Sequence, residues 1–135
     1  MSAITAPTTT AKDSFLRFAM RLDAVATGIG GVAGLAIAPW LAEVSGTTPA
    51  FEYSMGVFFV VYGVAVFALS RARHVRVPGI AAVVGNLVYT ALAVLVVLAG
   101  VWPLTTMGVV LTLGSGVFTL VMADLQYLGL RRMRA

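Results

Sequence analysis

VPGIAAVVGNLVYTALAVLVVLAGVWPLTTMGVVLTLGSGVFTLVMA, residues 77–123, is a run of 47 positions without a charged side chain, bounded by Arg76 and Asp124. A membrane-spanning helix needs about 20 predominantly apolar residues, so a run this long holds two. The break between them is Gly100-Val101-Trp102-Pro103-Leu104-Thr105-Thr106, where glycine and proline stop a helix. Working outward, 18 uncharged residues separate Glu52 from Arg71 and 19 separate Asp23 from Glu43, each enough for one further span. Four spans result, over about 20–43, 53–71, 78–100 and 105–128. The remaining turns are Ser45-Gly46-Thr47-Thr48-Pro49 and the basic stretch around His74. Lipid-exposed strands are excluded, because each unpaired backbone group in hydrocarbon costs several kcal/mol.

Composition agrees with this division. The 135-residue chain is 60% hydrophobic and 10% charged, with mean hydropathy +1.00. Soluble domains are nearer 45–50% apolar and about 25% charged. A chain this short has too little interior to hide the excess, so the bilayer is part of its solvent. There is no cysteine, which excludes disulfides and thiolate chemistry.

The charges set an orientation. Lys12, Arg17, Arg21, Arg71, Arg73, Arg76, Arg131, Arg132 and Arg134 all fall on one side of the four spans, and no basic residue falls on the other. The positive-inside rule places that side in the cytoplasm, with both termini there and the chain in the plasma membrane. Trp40 and Trp102 then stand at the outer interface. The pI of about 10.1 reflects this topology and not nucleic-acid binding. Residues 1–13 are expected to be a mobile cytoplasmic segment, 14–130 the transmembrane domain and 131–135 a basic tail. Asp13 or Ser14 is placed to cap a helix starting before the membrane. Phe15, Phe18 and Leu22 share one face and Arg17 and Arg21 another, as in turns lying at the interface. Ala36-Ile37-Ala38 imitates a signal-peptide cleavage site, but Pro39 directly after it hinders cleavage.

Small and polar residues repeat every seven positions: Gly56, Gly63 and Ser70; Gly79, Asn86, Ala93 and Gly100; Thr105, Thr112, Thr119 and Gln126. In the first span Asp23, Thr27, Gly30 and Gly34 form one stripe, with a GxxxG in Gly30 and Gly34. Helices in lipid associate through close backbone approach at small residues and through interhelical hydrogen bonds. A seven-residue repeat keeps such a face in register along a left-handed supercoil. The expected fold is an all-α, left-handed four-helix transmembrane bundle with these faces inward.

The polar residues inside spans are the candidate site: Asp23, Thr27, Tyr62, Asn86, Tyr89 and Gln126. An ionisable group inside a span is a functional candidate by default. Asp23 is nevertheless shallow, six residues or about 9 Å along the helix from Arg17, and pairing with Arg17 or Arg21 is its structural reading. Asn86, on the inferred inner face, needs hydrogen-bond partners and is expected to cross-link Asp23 or Thr27. The hydroxyls of Tyr62 and Tyr89 more often satisfy a neighbouring carbonyl than a ligand. Asp124 points away from Thr119 and Gln126 and suits pairing with the basic tail or another protein. Arg71, Arg73, Arg76, Arg131, Arg132 and Arg134 set topology and attract anionic lipid headgroups. One histidine, His74, and no cysteine leave no paired haem ligands and no metal cluster, and no cofactor is expected. No catalytic constellation is visible, and the chain reads as a non-enzyme.

Arg21-Leu22-Asp23-Ala24 opening the first span, Tyr62-Gly63, Asn86 and Leu125-Gln126-Tyr127-Leu128-Gly129-Leu130-Arg131-Arg132 together resemble small four-helix membrane proteins loosely similar to the DoxX-like group. The resemblance implies topology and carries no catalytic residue. Three functions stay open: a structural or accessory subunit acting through helix packing in a homo-oligomer or larger assembly; a small proton-coupled multidrug-resistance-like transporter; and a lipid, quinone or pigment site lined by Tyr62, Asn86 and Tyr89. The transporter reading departs from its family in having a shallow aspartate in place of a deeper glutamate.

Overall fold

A computed structural model describes residues 11–134 as helices joined by short turns. They are α1 (Ala11–Ala36), α2 (Ala38–Ser45), α3 (Pro49–Leu69), α4 (Arg76–Ala99) and α5 (Thr106–Arg132). Four of these, α1, α3, α4 and α5, are long and apolar enough to cross a membrane. The expected first span is thus two helices. Pro39 stands at the start of α2, where it has no N–H to offer the preceding turn, and α1 ends at Ala36. Thr48 caps α3, its hydroxyl accepting from Phe51 N at 3.2 Å, and Thr105 caps α5 by accepting from Gly108 N at 3.0 Å. Gly46 and Gly100 close α2 and α4 in the left-handed region, at φ 79° and 63°, where a side chain would be strained.

Residues 1–10 and 135 lie outside the described residues, but helix α1 already includes 11–13 and α5 includes Arg131 and Arg132. The extra turns are held by packing: Leu16, Met20, Val75 and Leu130 form one buried cluster with Met133 against it. The opening of α1 has an enclosed side, Leu16, Arg17, Ala19 and Met20, and an exposed one that includes Phe18, Arg21 and Leu22.

Helix α1 is the hub. It packs along α3 on one side and α5 on the other, α4 packs along α5, and α2 lies across the ends of α3 and α5. Glycines permit the closest approaches. A Cβ on Gly63 would stand 2.7 Å from the Ala24 carbonyl oxygen and 3.0 Å from Gly28 Cα, and one on Gly129 would stand 2.6 Å from Leu16 Cα. The seven-residue faces are enclosed where expected at Gly56, Gly63, Ser70, Gly79, Asn86, Ala93 and Gln126, whereas Gly100 and Thr105, beside the α4–α5 turn, are exposed. The stripe in α1 differs. Gly31 meets α3, whereas a Cβ on Gly30 or Gly34 would have nothing within 4 Å, so both face outward. The backbones of α3 and α4 stay apart, and their seam is bridged by side chains, with the rings of Phe59 and Tyr89 5.8 Å apart between centroids.

Candidate functional site

Each long helix sends a polar side chain to one point. Asp23 of α1 is fully enclosed, at 0% exposure. Its Oδ2 accepts from Tyr62 Oη of α3, Asn86 Nδ2 of α4 and Gln126 Nε2 of α5, each at 2.9 Å. Its Oδ1 accepts from Thr27 Oγ1 one turn on, at 3.1 Å. Asn86 Nδ2 also donates to Gln126 Oε1 at 3.0 Å, so carboxylate and two amides form a closed triangle. A buried acid is tolerable when its lone pairs are filled in this way. The bonds tie all four long helices to one carboxylate. That is work for a keystone, and both oxygens of the Asp23 carboxylate are already occupied.

The cluster joins Asp23, Thr27, Tyr62, Asn86 and Gln126, five of the six residues singled out in the sequence. Tyr89 stands apart, its hydroxyl 2.9 Å from Ser115 Oγ. Between the two, the Thr90 hydroxyl lies 3.0 Å from the Asn86 and Gly116 carbonyls and 2.7 Å from Thr119 Oγ1, continuing a polar seam along α4 and α5.

Asp23 does not pair with Arg17 or Arg21. Arg17, 2% exposed, turns instead to the end of α3, where Nη1 donates to the carbonyls of Ser70 (2.9 Å) and Ala72 (2.6 Å). Its Nη2 donates to the Arg73 carbonyl (3.2 Å) and to Asp13 Oδ2 (3.1 Å). The last carbonyls of a helix lack amide partners, and the guanidinium fork satisfies several together. Arg21 Nε reaches Ser70 Oγ at 3.2 Å. The acid at Asp13, four residues before Arg17, was the available sign that this arginine faces inward. Its tertiary partners carried no signal, being backbone carbonyls about 53–56 positions away. Asp124 is exposed and makes no ion pair among the described residues. Arg71, Arg73, Arg76, Arg131, Arg132 and Arg134 are exposed at the same end of the bundle, beside His74.

At the opposite end the gap between α3 and α4 forms a cleft of about 510 Å³. Phe58 and Phe59 line it from α3, and Tyr89, Leu92 and Val96 from α4. Trp102, tilted by 47° against Phe51 with ring centroids 4.3 Å apart, lines it together with Glu52. Volume and apolar lining match those of small-molecule sites, which run to about 300–1,000 Å³. Glu52 sits in the first turn of α3, 9% exposed, and its Oε2 accepts from the Thr47 hydroxyl. Sequence reading placed the lipid or quinone site at Tyr62, Asn86 and Tyr89. The structure puts Tyr89 in the cleft, while Tyr62 and Asn86 are committed to Asp23. Glu52 and the aromatic residues of α3 were missed, because an acid beside a loop and phenylalanines in a span look ordinary in sequence. Among the described residues no group of three metal-ligating side chains occurs.

Compared with known proteins, the chain matches no family model, no curated protein and no solved structure.

Proposed function

We propose that this protein is a multi-pass plasma-membrane protein, a left-handed bundle with its basic end in the cytoplasm, that binds a small bilayer-dissolved molecule in the cleft between α3 and α4. The observation that carries the reading is the α3–α4 seam, where the backbones stay apart. A bundle acting through packing alone has reason to close that seam, yet here aromatic side chains line it and a cavity of about 510 Å³ remains. Nine basic residues at one end support the orientation, as do Trp40 and Trp102 at the other. The Asp23 cluster supports the same division of labour, since it holds the four long helices together while the cleft stays free.

The test is extraction and mass spectrometry of small molecules retained by the purified chain, with absorbance of the same sample. The expected result is one enriched hydrophobic species, depleted in Leu92→Trp, which fills the cleft. A clean spectrum with no enriched lipid or pigment relative to an unrelated membrane protein sinks the proposal.

A second reading, self-association or accessory assembly through helix packing, is favoured by Gly30 and Gly34. This small-xxx-small pair lies on the outer face of α1 with nothing over it. Native mass spectrometry in mild detergent is expected to show a dimer that Gly30→Leu abolishes. A strictly monomeric wild type with no co-purifying protein counts against it.

A further inference from the structure

The cleft carries an acid, Glu52, that no basic side chain among the described residues pairs with. Glu52 Oε2 is held by the Thr47 hydroxyl, but no hydrogen bond reaches Oε1 among the described residues, and Oε1 is not enclosed. Every lysine and arginine lies at the other end of the bundle; Arg71, the nearest along α3, is 19 residues away, about 28 Å of helix. The N-terminal turn of α3 favours an acid and accounts for Glu52 being tolerated. It does not account for Glu52 lining a cavity together with Phe58, Phe59, Tyr89 and Trp102. Aromatic faces attract cations, and a single carboxylate among them completes a site for one positive charge. An anionic amphiphile would meet Glu52 as a like charge.

We infer that the cleft selects amphiphilic organic cations, a quaternary or protonated ammonium or a phosphonium on an alkyl or aryl body, with the charge at Glu52 Oε1 and the body between α3 and α4. This rests on the reading of the cleft as a binding site and names its ligand class. Glu52 acts as counter-ion and Thr47 as the residue that orients it.

The experiment uses the full chain in uncharged maltoside detergent, with Trp40→Phe in the background so that Trp102 in the cleft wall reports binding by fluorescence. Three probes of similar shape are titrated: tetraphenylphosphonium, the anionic tetraphenylborate and the neutral triphenylphosphine oxide. The expected result is that the cation binds at least about tenfold more tightly than either counterpart, the order a partly buried charge contact supplies. Glu52→Gln, which keeps a partner for Thr47, is expected to erase that preference and leave the neutral probe unchanged. Glu43→Gln removes the exposed acid of α2 and is expected to change nothing. Equal binding of all three probes by the Trp40→Phe parent, in which Glu52 is intact, overturns cation selection. So does a cation affinity unaffected by Glu52→Gln. If the chain retains a hydrophobic species lost in Leu92→Trp but shows no cation preference, the cleft stands and this inference falls. If nothing is retained and no probe binds, both fall.

Discussion

Replacing Asp23 by alanine tests whether the buried carboxylate is a keystone. The substitution leaves Tyr62 Oη and the amide groups of Asn86 and Gln126 without their shared acceptor, since all three point at Oδ2. Thr27 lies on the same helix and can turn its hydroxyl to a backbone carbonyl, so it adds little. Interhelical hydrogen bonds in membrane proteins average about 0.6 kcal/mol and reach about 1.7. Three of them give about 2–5 kcal/mol of lost stability for Asp23→Ala, the upper end applying if the donors find no new partner. Asp23→Asn is expected to cost about 1 kcal/mol, because its amide oxygen can take the place of Oδ2 while its nitrogen faces Thr27. The assay is reversible unfolding in mixed micelles, followed by circular dichroism as denaturing detergent is titrated in. Tyr62→Phe supplies a double-mutant cycle with Asp23→Ala, and the two losses are expected to be less than additive. An Asp23→Ala protein as stable as wild type refutes the reasoning. An asparagine variant as damaged as the alanine one does so as well.

Gly63→Val is expected to destabilise by about 1–3 kcal/mol, since its Cβ meets the Ala24 carbonyl and α1 and α3 must part. Gly85→Val, at a position open on all sides, is expected to stay within about 0.5 kcal/mol in the same unfolding assay. Arg17→Lys keeps the charge but loses the planar fork, and hydrogen exchange is expected to quicken over 70–75 and not over 80–95; unchanged protection there contradicts the role given to Arg17. A reporter fused after Arg134 is expected to be active only in the cytoplasm, and activity outside the cell overturns the orientation.

How much was legible beforehand follows the range of each interaction. The four long helices were readable because lipid admits one solution to a long uncharged run, and the caps and breakers at Thr48, Pro49, Gly100 and Thr105 are local signals. Inward faces in α3, α4 and α5 were readable because small residues recur there every seven positions. The rule failed in α1, where glycine is so frequent that Gly28, Gly30, Gly31 and Gly34 offer competing stripes. Gly28 and Gly31 meet α3, and nothing local separates them from Gly30 and Gly34. Asp23 with Asn86 was foreseen as a cross-link from the cost of burying two polar groups. The partner for Arg17 was misjudged, because proximity along a helix suggested Asp23 while the true acceptors come from the turn after α3.

By itself the sequence determined that four stretches are long and apolar enough to cross a bilayer and that the basic residues all gather at one end; composition and local periodicity suffice for that. Which helices touch was decided by tertiary structure alone. Helix α1 took both α3 and α5 as neighbours, and α3 and α4 were left apart, because glycines on particular faces allow backbones to meet and bulky phenylalanines hold them off. That choice filled the lone pairs of Asp23 and left Glu52 in the lining of the cleft.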